Sequence, residues 1–559
     1  MDTLGRRLTP QYRSGDSGWT IGIASLRAAL TENAATPLLI LLAAVALVLL
    51  IACVNVANLL LARATARAGE FALRAALGAG QARIVRQLLT ESAVLALLGA
   101  AAGAALAFFL IRGLTGLLPA TFPRAGSIEV DRTVLSFALL LSLAASLLFG
   151  LAPALYAARP ARRKSHNTAR HVLIAAEVSL ATMLLIAAGL LLRTFAALNH
   201  VDPGFNPSKL LKVEVSLPRF EYSTPTQWIA FSRDALSRIQ AVPELRNTAA
   251  AVPLPLADNF VSLPFSIRNG PPVPPGRSLS AHYVAVTQGY FHLMNIPLLG
   301  GRFFTSMDSP AAPRVTIISR ELARRFFPHT NPIGGKLVFS FPPDPPMERE
   351  IVGVAGDVRD DALNRQPAPM MYVPYAQAPF WGVCLVTRTT LSAAAAAGLI
   401  EAKVHEVDRD LPGEGIEWMS DSIETSLSPA RLRTWLLGLF GAVALLLAAA
   451  GIFGVVSYSV SRRTREIGVR MALGARRRDV VSLIAGQGMA PVCIGITLGL
   501  AGSLALTRFL SGLLYGVKST DLTTFAAAAL VLILVALLAA WLPARRAARV
   551  DPITALRCE

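Results

Sequence analysis

Charge is scarce in this 559-residue chain: only 16% of its residues are Asp, Glu, Lys or Arg, where a soluble domain carries about 25%. With 53% of the residues hydrophobic, that balance argues against an ordinary soluble protein and for a membrane one. Cysteine is scarcer still. Cys53, Cys384, Cys493 and Cys558 lie far apart, so neither a disulfide framework nor a metal knuckle can be read from their spacing. Acidic residues are few beside basic ones, 35 against 53, for a net charge of +18. Nucleic acid is not implied, because the arginines gather in short loops beside apolar runs and not along a groove-lining stripe. Residues 1–36 have no short apolar core of the signal-peptide kind. Nucleotide and metal motifs are missing too. "NPIGGKL" at 331–337 lacks the preceding Gly of a P-loop and has no Ser or Thr after Lys336. His282, His292, His329 and His405 show no spacing such as HExxH and read as solvated surface residues. Nothing like GxSxG marks a nucleophile. No catalytic residue, metal site or bound cofactor is assigned, and the chain is not read as an enzyme.

Long apolar runs are what the sequence does have. A helix needs about 20 apolar residues to cross the hydrocarbon core. Seven segments qualify: 37–61, 91–112, 134–157, 172–194, 434–458, 489–510 and 521–543. They are apolar all round, which suits lipid or a bundle interior. Pro153 and Pro543, near two span ends, read as helix stops or kinks.

Orientation follows from the loops. Arg63, Arg67, Arg74, Arg83 and Arg86 crowd the loop after the first span. Arg159, Arg162, Arg163, Lys164 and Arg170 mark the next basic loop, and Arg462, Arg463, Arg465, Arg470, Arg476, Arg477 and Arg478 the third. Arg545, Arg546, Arg549 and Arg557 lie in the tail. These four segments alternate with balanced loops, so all four are expected in the cytoplasm, with the C-terminus among them and the large segment 196–430 outside. Seven spans then put residues 1–36 outside without an export signal. The expectation is a fragment whose upstream span is missing, with "TIGIASLRAALTENAA" (20–35) leading from an outer domain into the membrane.

The middle segment is not membranous. Pro and Gly are frequent ("NGPPVPPG", "FPPDPP"). "LLKVEVSLP" (210–218), "RVTIIS" (314–319), "EIVGVAGDV" (350–358) and "GVCLVTRT" (382–389) read as strands. Residues 224–242 and 391–407 read as helices. The expectation is an α+β domain.

Shifting the sequence by 396 positions lays 36–118 on 432–514 without a gap. "GEFALRAALGA" (69–79) then falls on "REIGVRMALGA" (465–475), Arg67 on Arg463, and Arg112 on Arg508. Charged loop positions and glycines match in register, so the chain reads as two three-span units facing the same way, an arrangement known among transporters. In each copy Glu70–Arg74 and Glu466–Arg470 are i,i+4 pairs, and Gly78 and Gly474 suit a helix C-cap. Each segment reads as a short amphipathic helix just inside the membrane. Two roles stand open: an anchor on anionic headgroups, or a docking helix for a cytoplasmic partner. Glu177, roughly 9 Å inside the fourth span at 1.5 Å per residue, is an intramembrane carboxylate. It is either functional or a polar contact to a neighbouring helix or loop arginine.

The organisation is therefore an α-helical polytopic membrane protein with seven spans. Residues 1–36 form an outer remnant with a lead-in helix, 37–157 the first unit and 158–171 a basic cytoplasmic linker. The fourth span, 172–194, links to an extracytoplasmic α+β domain at 195–430. The second unit is 431–543 and the cytoplasmic tail 544–559.

"SVSRRTREIGVRMALGARRRDVV" (459–481) and "ALVLLIACVNVANLLLARATARAGEFALRAALGA" (46–79) resemble the FtsX-like permease domains of MacB-type ABC transporters. "GLLLRTFAALNHVDPGFNPSKLLKVEVSLP" (189–218) and "AWLPARRAARVDPITALRCE" (540–559) resemble the duplicated orphan permeases of that superfamily. The likeness covers nearly all of 20–559. It implies that the outer domain is a MacB-like periplasmic core and that the chain is a permease subunit of the bacterial inner membrane. It implies a separate cytoplasmic ABC ATPase as partner, which would supply ATP chemistry, together with membrane lipid and an envelope or outer-membrane partner. The family pattern has four spans per half, the first followed by a core; here the first span and first core are absent. By position, Glu70, Arg74, Gly78, Glu466, Arg470 and Gly474 would lie in the loops that couple to the ATPase. Movement there would be relayed through long helices to the outer domain. The first copy departs from the second by carrying Gly69 opposite Arg465. Alternatives are a non-transporting regulator of an envelope or cell-wall enzyme, and an orphan permease without ATPase.

Overall fold

The computed structural model describes residues 26–66, 70, 81–117, 131–157, 165–256, 261–270, 279–339, 346–462, 467, 469–471, 473 and 476–547. The chain divides into two compact units. The described residues of Met1–Leu30 and Leu198–Pro429 form one, and those of Thr31–Ala197 and Ala430–Glu559 the other.

The first unit is built on strands whose two faces feed different cores. In order they are β1 (Leu210–Ser216), β2 (Thr248–Val252), β3 (Ser262–Ile267), β4 (Leu279–Val286), β5 (Leu298–Gly301), β6 (Val315–Ser319), β7 (Lys336–Phe339), β8 (Met347–Ala355), β9 (Met370–Pro374), β10 (Gly382–Arg388) and β11 (Glu414–Trp418). One part is the antiparallel run β11–β1–β10–β2. Successive strand residues point to opposite faces, so Leu211, Val213 and Val215 of β1 pack under helices Pro225–Gln240 and Ala393–His405 while Leu210 enters the core behind. The other part is a closed circuit, β4–β3–β7–β8–β6–β9 and back to β4. Along β4, Ala281, Tyr283 and Ala285 enter one core, and Val284 and Val286 the other. Closing the circuit leaves those strands without a free edge.

The second unit is helical. Its elements are α1 (Leu26–Ala66), α2 (Gln81–Leu117), α3 (Arg132–Ala157), α4 (Ser165–Asn199), α5 (Met419–Arg462), α6 (Arg477–Leu510) and α7 (Leu522–Ala547). Of these, α5 places side chains in a core of each unit. Met419 lies in a core of the first and Leu437, Ala444, Ala448, Ile452 and Val456 in the core of the second. At 44 residues it is about 66 Å long, twice the hydrocarbon thickness. Six helices are long and apolar enough to cross a membrane among the described residues: Thr36–Leu60, Val85–Gly113, Arg170–Asn199, Met419–Ser461, Arg477–Leu513 and Leu522–Arg546.

The sequence pattern gives seven. The third expected span, 134–157, lies within the 26-residue helix α3, of which the described side chains reach Ala144. The lead-in at 20–35 does not form a separate element where it is described. From Leu26 it runs through Pro37 into the first span as one helix.

Small residues set how closely these helices approach. Without a hydrophobic force between helices in lipid, close packing holds a bundle together. A Cβ built on Gly495 would lie 2.6 Å from the Ala175 carbonyl oxygen, and one on Gly499 2.7 Å from that of Ser179. So α6 rides on the backbone of α4. The positions 396 residues earlier, Gly99 and Gly103 on α2, have nothing within 4 Å among the described residues.

Candidate functional site

The charged segment of the second copy is amphipathic in space as well as in sequence. Ile467 is 8% exposed and packs with Met471 against Val480 and Ile484 of α6 and Val460 of α5. Those contacts fix one face of the segment. On the other side Val469, Arg470 and Leu473 are exposed, Leu473 at 83%. The Leu473 amide donates to the Val469 carbonyl at 3.0 Å, so the turn is helical. At its end, Asp479 accepts from the Arg476 backbone N–H at 3.1 Å and caps α6. Two apolar side chains thus anchor the segment while Val469 and Leu473 stay exposed.

The structure treats the six expected coupling residues unequally. Arg470 is exposed. Glu70 is helical and exposed. Arg74, Gly78, Glu466 and Gly474 lie outside the described residues, so neither i,i+4 pair is described as a pair.

Glu177 is fully buried in the bundle. Both it and Asn55 of α1 border Gly451 of α5. Gly451 of α5 is where a Cβ would collide with the carboxylate and lie 2.7 Å from Asn55 Oδ1. Asn55 donates to the Leu447 carbonyl at 2.7 Å. Both Glu177 oxygens and both side-chain polar atoms of buried Asn58 have no hydrogen-bond partner among the described residues. Three helices therefore meet around a polar knot, and Gly451 is the residue that leaves room for it. Asn55, a polar residue in an otherwise apolar span, is the signal that could have revealed this knot.

In the first unit the polar groups are mostly structural. Arg349, 1% exposed, donates to the Val315 and Gln377 carbonyls, Gln377 Oε1 and the Tyr283 hydroxyl at 3.2–3.3 Å. Burial lowers its pKa, partly offset by Tyr283. Arg302 holds Asp308 bidentately at 2.8 Å, and that hydrogen bonding keeps the carboxyl below its usual range. His282 corrects the sequence reading. It is half-buried, not solvated, and is hydrogen-bonded to buried Asp360, which raises the imidazole pKa against the lowering effect of burial. Asp361 brings a third donor atom, all three lying within 4.8 Å. Asp361, however, is ion-paired with Arg365 at 3.2 Å, so the group reads as an ion-pair network.

Comparison with known proteins agrees with the partition. The FtsX-like permease C-terminal family matches residues 42–165 and again 438–552. The MacB-like periplasmic core domain family matches 178–403. A macrolide export ATP-binding/permease protein MacB of Marinobacter nauticus is 29% identical over 272 residues, 47% of this chain and 41% of that protein. An uncharacterized ABC transporter permease, YknZ of Bacillus subtilis, is 27% identical over 285 residues, 49% of this chain and 69% of that one. The chain thus spans about two-fifths of the length of the MacB relative. Among solved structures, the periplasmic region of MacB from Actinobacillus actinomycetemcomitans is 14% identical, covers 40% of this chain and 94% of that one, and has a TM-score of 0.27.

Proposed function

Since the chain belongs to the FtsX-like permeases with a MacB-like periplasmic core domain, we propose that it is the permease subunit of an ABC system in a bacterial inner membrane, driven by a separate cytoplasmic ATPase. The basic loops and the tail face the cytoplasm, and the unit around Leu198–Pro429 faces the periplasm. Two three-span units lie parallel and the fourth span links them, making seven in all. The twofold match of one permease family, at 42–165 and 438–552, supports that duplication. Nucleotide-driven movement enters at the segments around Glu70–Gly78 and Glu466–Gly474 and travels along rigid helices, α5 above all, to the periplasmic unit. No cofactor is held by the chain itself, and the work done is export or another envelope process.

The observation that carries this reading is the exposure of Val469 and Leu473 on a segment whose Ile467 and Met471 pack against α5 and α6. Two exposed aliphatic side chains close together on one short segment suit a protein partner. The rigid inner face means that a push on the outer face moves α6 with it.

The test is recovery of an ABC ATPase with the tagged full-length chain from membranes of its native bacterium. Replacing Glu466 and Arg470 together by Gln should weaken that recovery while membrane abundance stays level. Undiminished recovery would move the docking contact elsewhere, and no ATPase with the unaltered chain would favour the orphan alternative.

A further inference from the structure

Glu177 lies inside one candidate span, Arg170–Asn199, and is 0% exposed. No hydrogen bond reaches either carboxylate oxygen among the described residues, although a buried carboxylate is costly without compensation. Asn55, 7% exposed, comes from a second span, Thr36–Leu60. Its Nδ2 donates to the Leu447 carbonyl at 2.7 Å, which identifies Oδ1 as the remaining amide atom and an acceptor. Gly451 belongs to a third, Met419–Ser461. The point where its Cβ would stand is within 2.8 Å of both Glu177 oxygens and 2.7 Å from Asn55 Oδ1. Oxygens from two helices thus converge beside a glycine of a third.

All three oxygens are acceptors, and none faces a donor among the described residues. Crowded together they repel, so a positive charge between them is what the arrangement suits. A water would bring donors but no charge, leaving the carboxylate uncompensated. A proton on Glu177 would bridge one carboxylate oxygen to Asn55 and leave the other bare. A metal cation is taken by all three at once. The site offers one negative charge and one neutral amide, so the ion that balances it is monovalent. A divalent ion would bring a second, unpaired charge into the bundle and call for about six to eight oxygens.

We infer that Glu177 and Asn55 form a binding site for an alkali-metal cation, held by both carboxylate oxygens and Asn55 Oδ1 beside Gly451. Glycine at 451 admits the ion, because any side chain would fill the place where the oxygens converge. Once bound, the ion ties α1, α4 and α5 together, and α5 is the helix with side chains in a core of each unit. The site depends neither on an ATPase partner nor on which way the chain faces.

Equilibrium dialysis of the full chain in detergent tests this, with radioactive sodium or, as a potassium mimic, rubidium, in choline chloride at constant ionic strength. Wild type should take up one of these ions, one per chain, and saturate. Glu177→Gln, which keeps the shape and removes the charge, should abolish the uptake. Asn55→Leu, which removes one of the three oxygens, should weaken it about tenfold, as for one polar contact to a charged group. Glu424→Gln, at an exposed acid on α5, should leave it unchanged. Thermal unfolding in choline chloride alone shows that each variant is folded. There Glu177→Gln should hold as well as wild type, since it buries no charge, and its midpoint, unlike that of wild type, should not climb with the ion. Saturable uptake of neither ion by wild type overturns the inference, and so does equal uptake by Glu177→Gln. A wild-type midpoint that responds to pH and ignores both ions overturns it as well, giving Glu177 a proton in place of a metal.

Discussion

Alanine at Gly495 or Gly499 should loosen the bundle, whereas alanine at Gly99 or Gly103 should not. The residues pair off across the 396-residue repeat, and the same methyl is added in each case. At Gly495 the new Cβ would lie 2.6 Å from the Ala175 oxygen and 2.8 Å from Val178 Cβ. At Gly499 it would lie 2.5 Å from Thr182 Cβ and 2.7 Å from the Ser179 oxygen. These are backbone oxygens and Cβ atoms, not flexible chain ends, so α6 and α4 must part. Overpacking of this kind costs about 1–3 kcal/mol, or about 5–150-fold in the opening equilibrium at 1.4 kcal/mol per tenfold. The two sites are one turn apart on one interface, so the double variant should fall short of the sum. At Gly99 and Gly103 the methyl meets nothing within 4 Å among the described residues, and only the modest helix preference for Ala over Gly remains. The assay is thermal unfolding of the full chain in detergent, followed by the reactivity of Cys53, which is 7% exposed in the bundle, with Cys493 and Cys558 replaced by Ser. Gly495→Ala and Gly499→Ala should expose Cys53 at lower temperature, and the α2 variants should match or exceed wild type. Equal behaviour of Gly495→Ala and Gly99→Ala would refute the packing argument.

Other expectations follow from the first unit. Cys384, pushed up to about 12 by burial and the neighbouring Glu214, should resist maleimide at neutral pH until the unit unfolds; ready labelling of the native chain would contradict its burial. His282 has a raised pKa from its bond to Asp360. Its contribution is full below the unfolded value of about 6.5 and is lost as pH rises through the folded value. His282→Asn should flatten that part of the stability profile, measured by unfolding of the full chain across neutral pH; an unchanged slope would mean the pair does not titrate there.

How much of this was legible differs from element to element. The strands at 210–216, 315–319, 347–355 and 382–388 stand near the runs read from β-branched residues. Those at 248–252 ("TAAAV") and 370–374 ("MMYVP") left no mark. They are buried on both faces and built from Ala and Met, so they show neither alternation nor β-type composition. Gly99 and Gly495 were visible as repeat partners, but sequence register does not say that one meets a helix and the other open space. Arg170 counted as one more loop cation, because its burial over Tyr458 depends on a partner almost 300 residues away. His282 and Asp360 likewise meet only through strand pairing, β4 lying parallel to β9 just after the loop that bears Asp360. The amphipathic character of 465–475 was readable from spacing; that Leu473 stays bare while Ile467 is covered was not.

The account depends most on both arginine-rich ends lying on one side of the membrane. Single cysteines at Arg86 and Arg478, both exposed, can be probed with a membrane-impermeant maleimide in a cysteine-free chain, beside a third at Pro274 in the middle segment. The account predicts labelling of the Pro274 position in cells with an opened outer membrane and of the other two only after the inner membrane is permeabilised. Labelling of the Arg86 and Arg478 positions from opposite sides would contradict it.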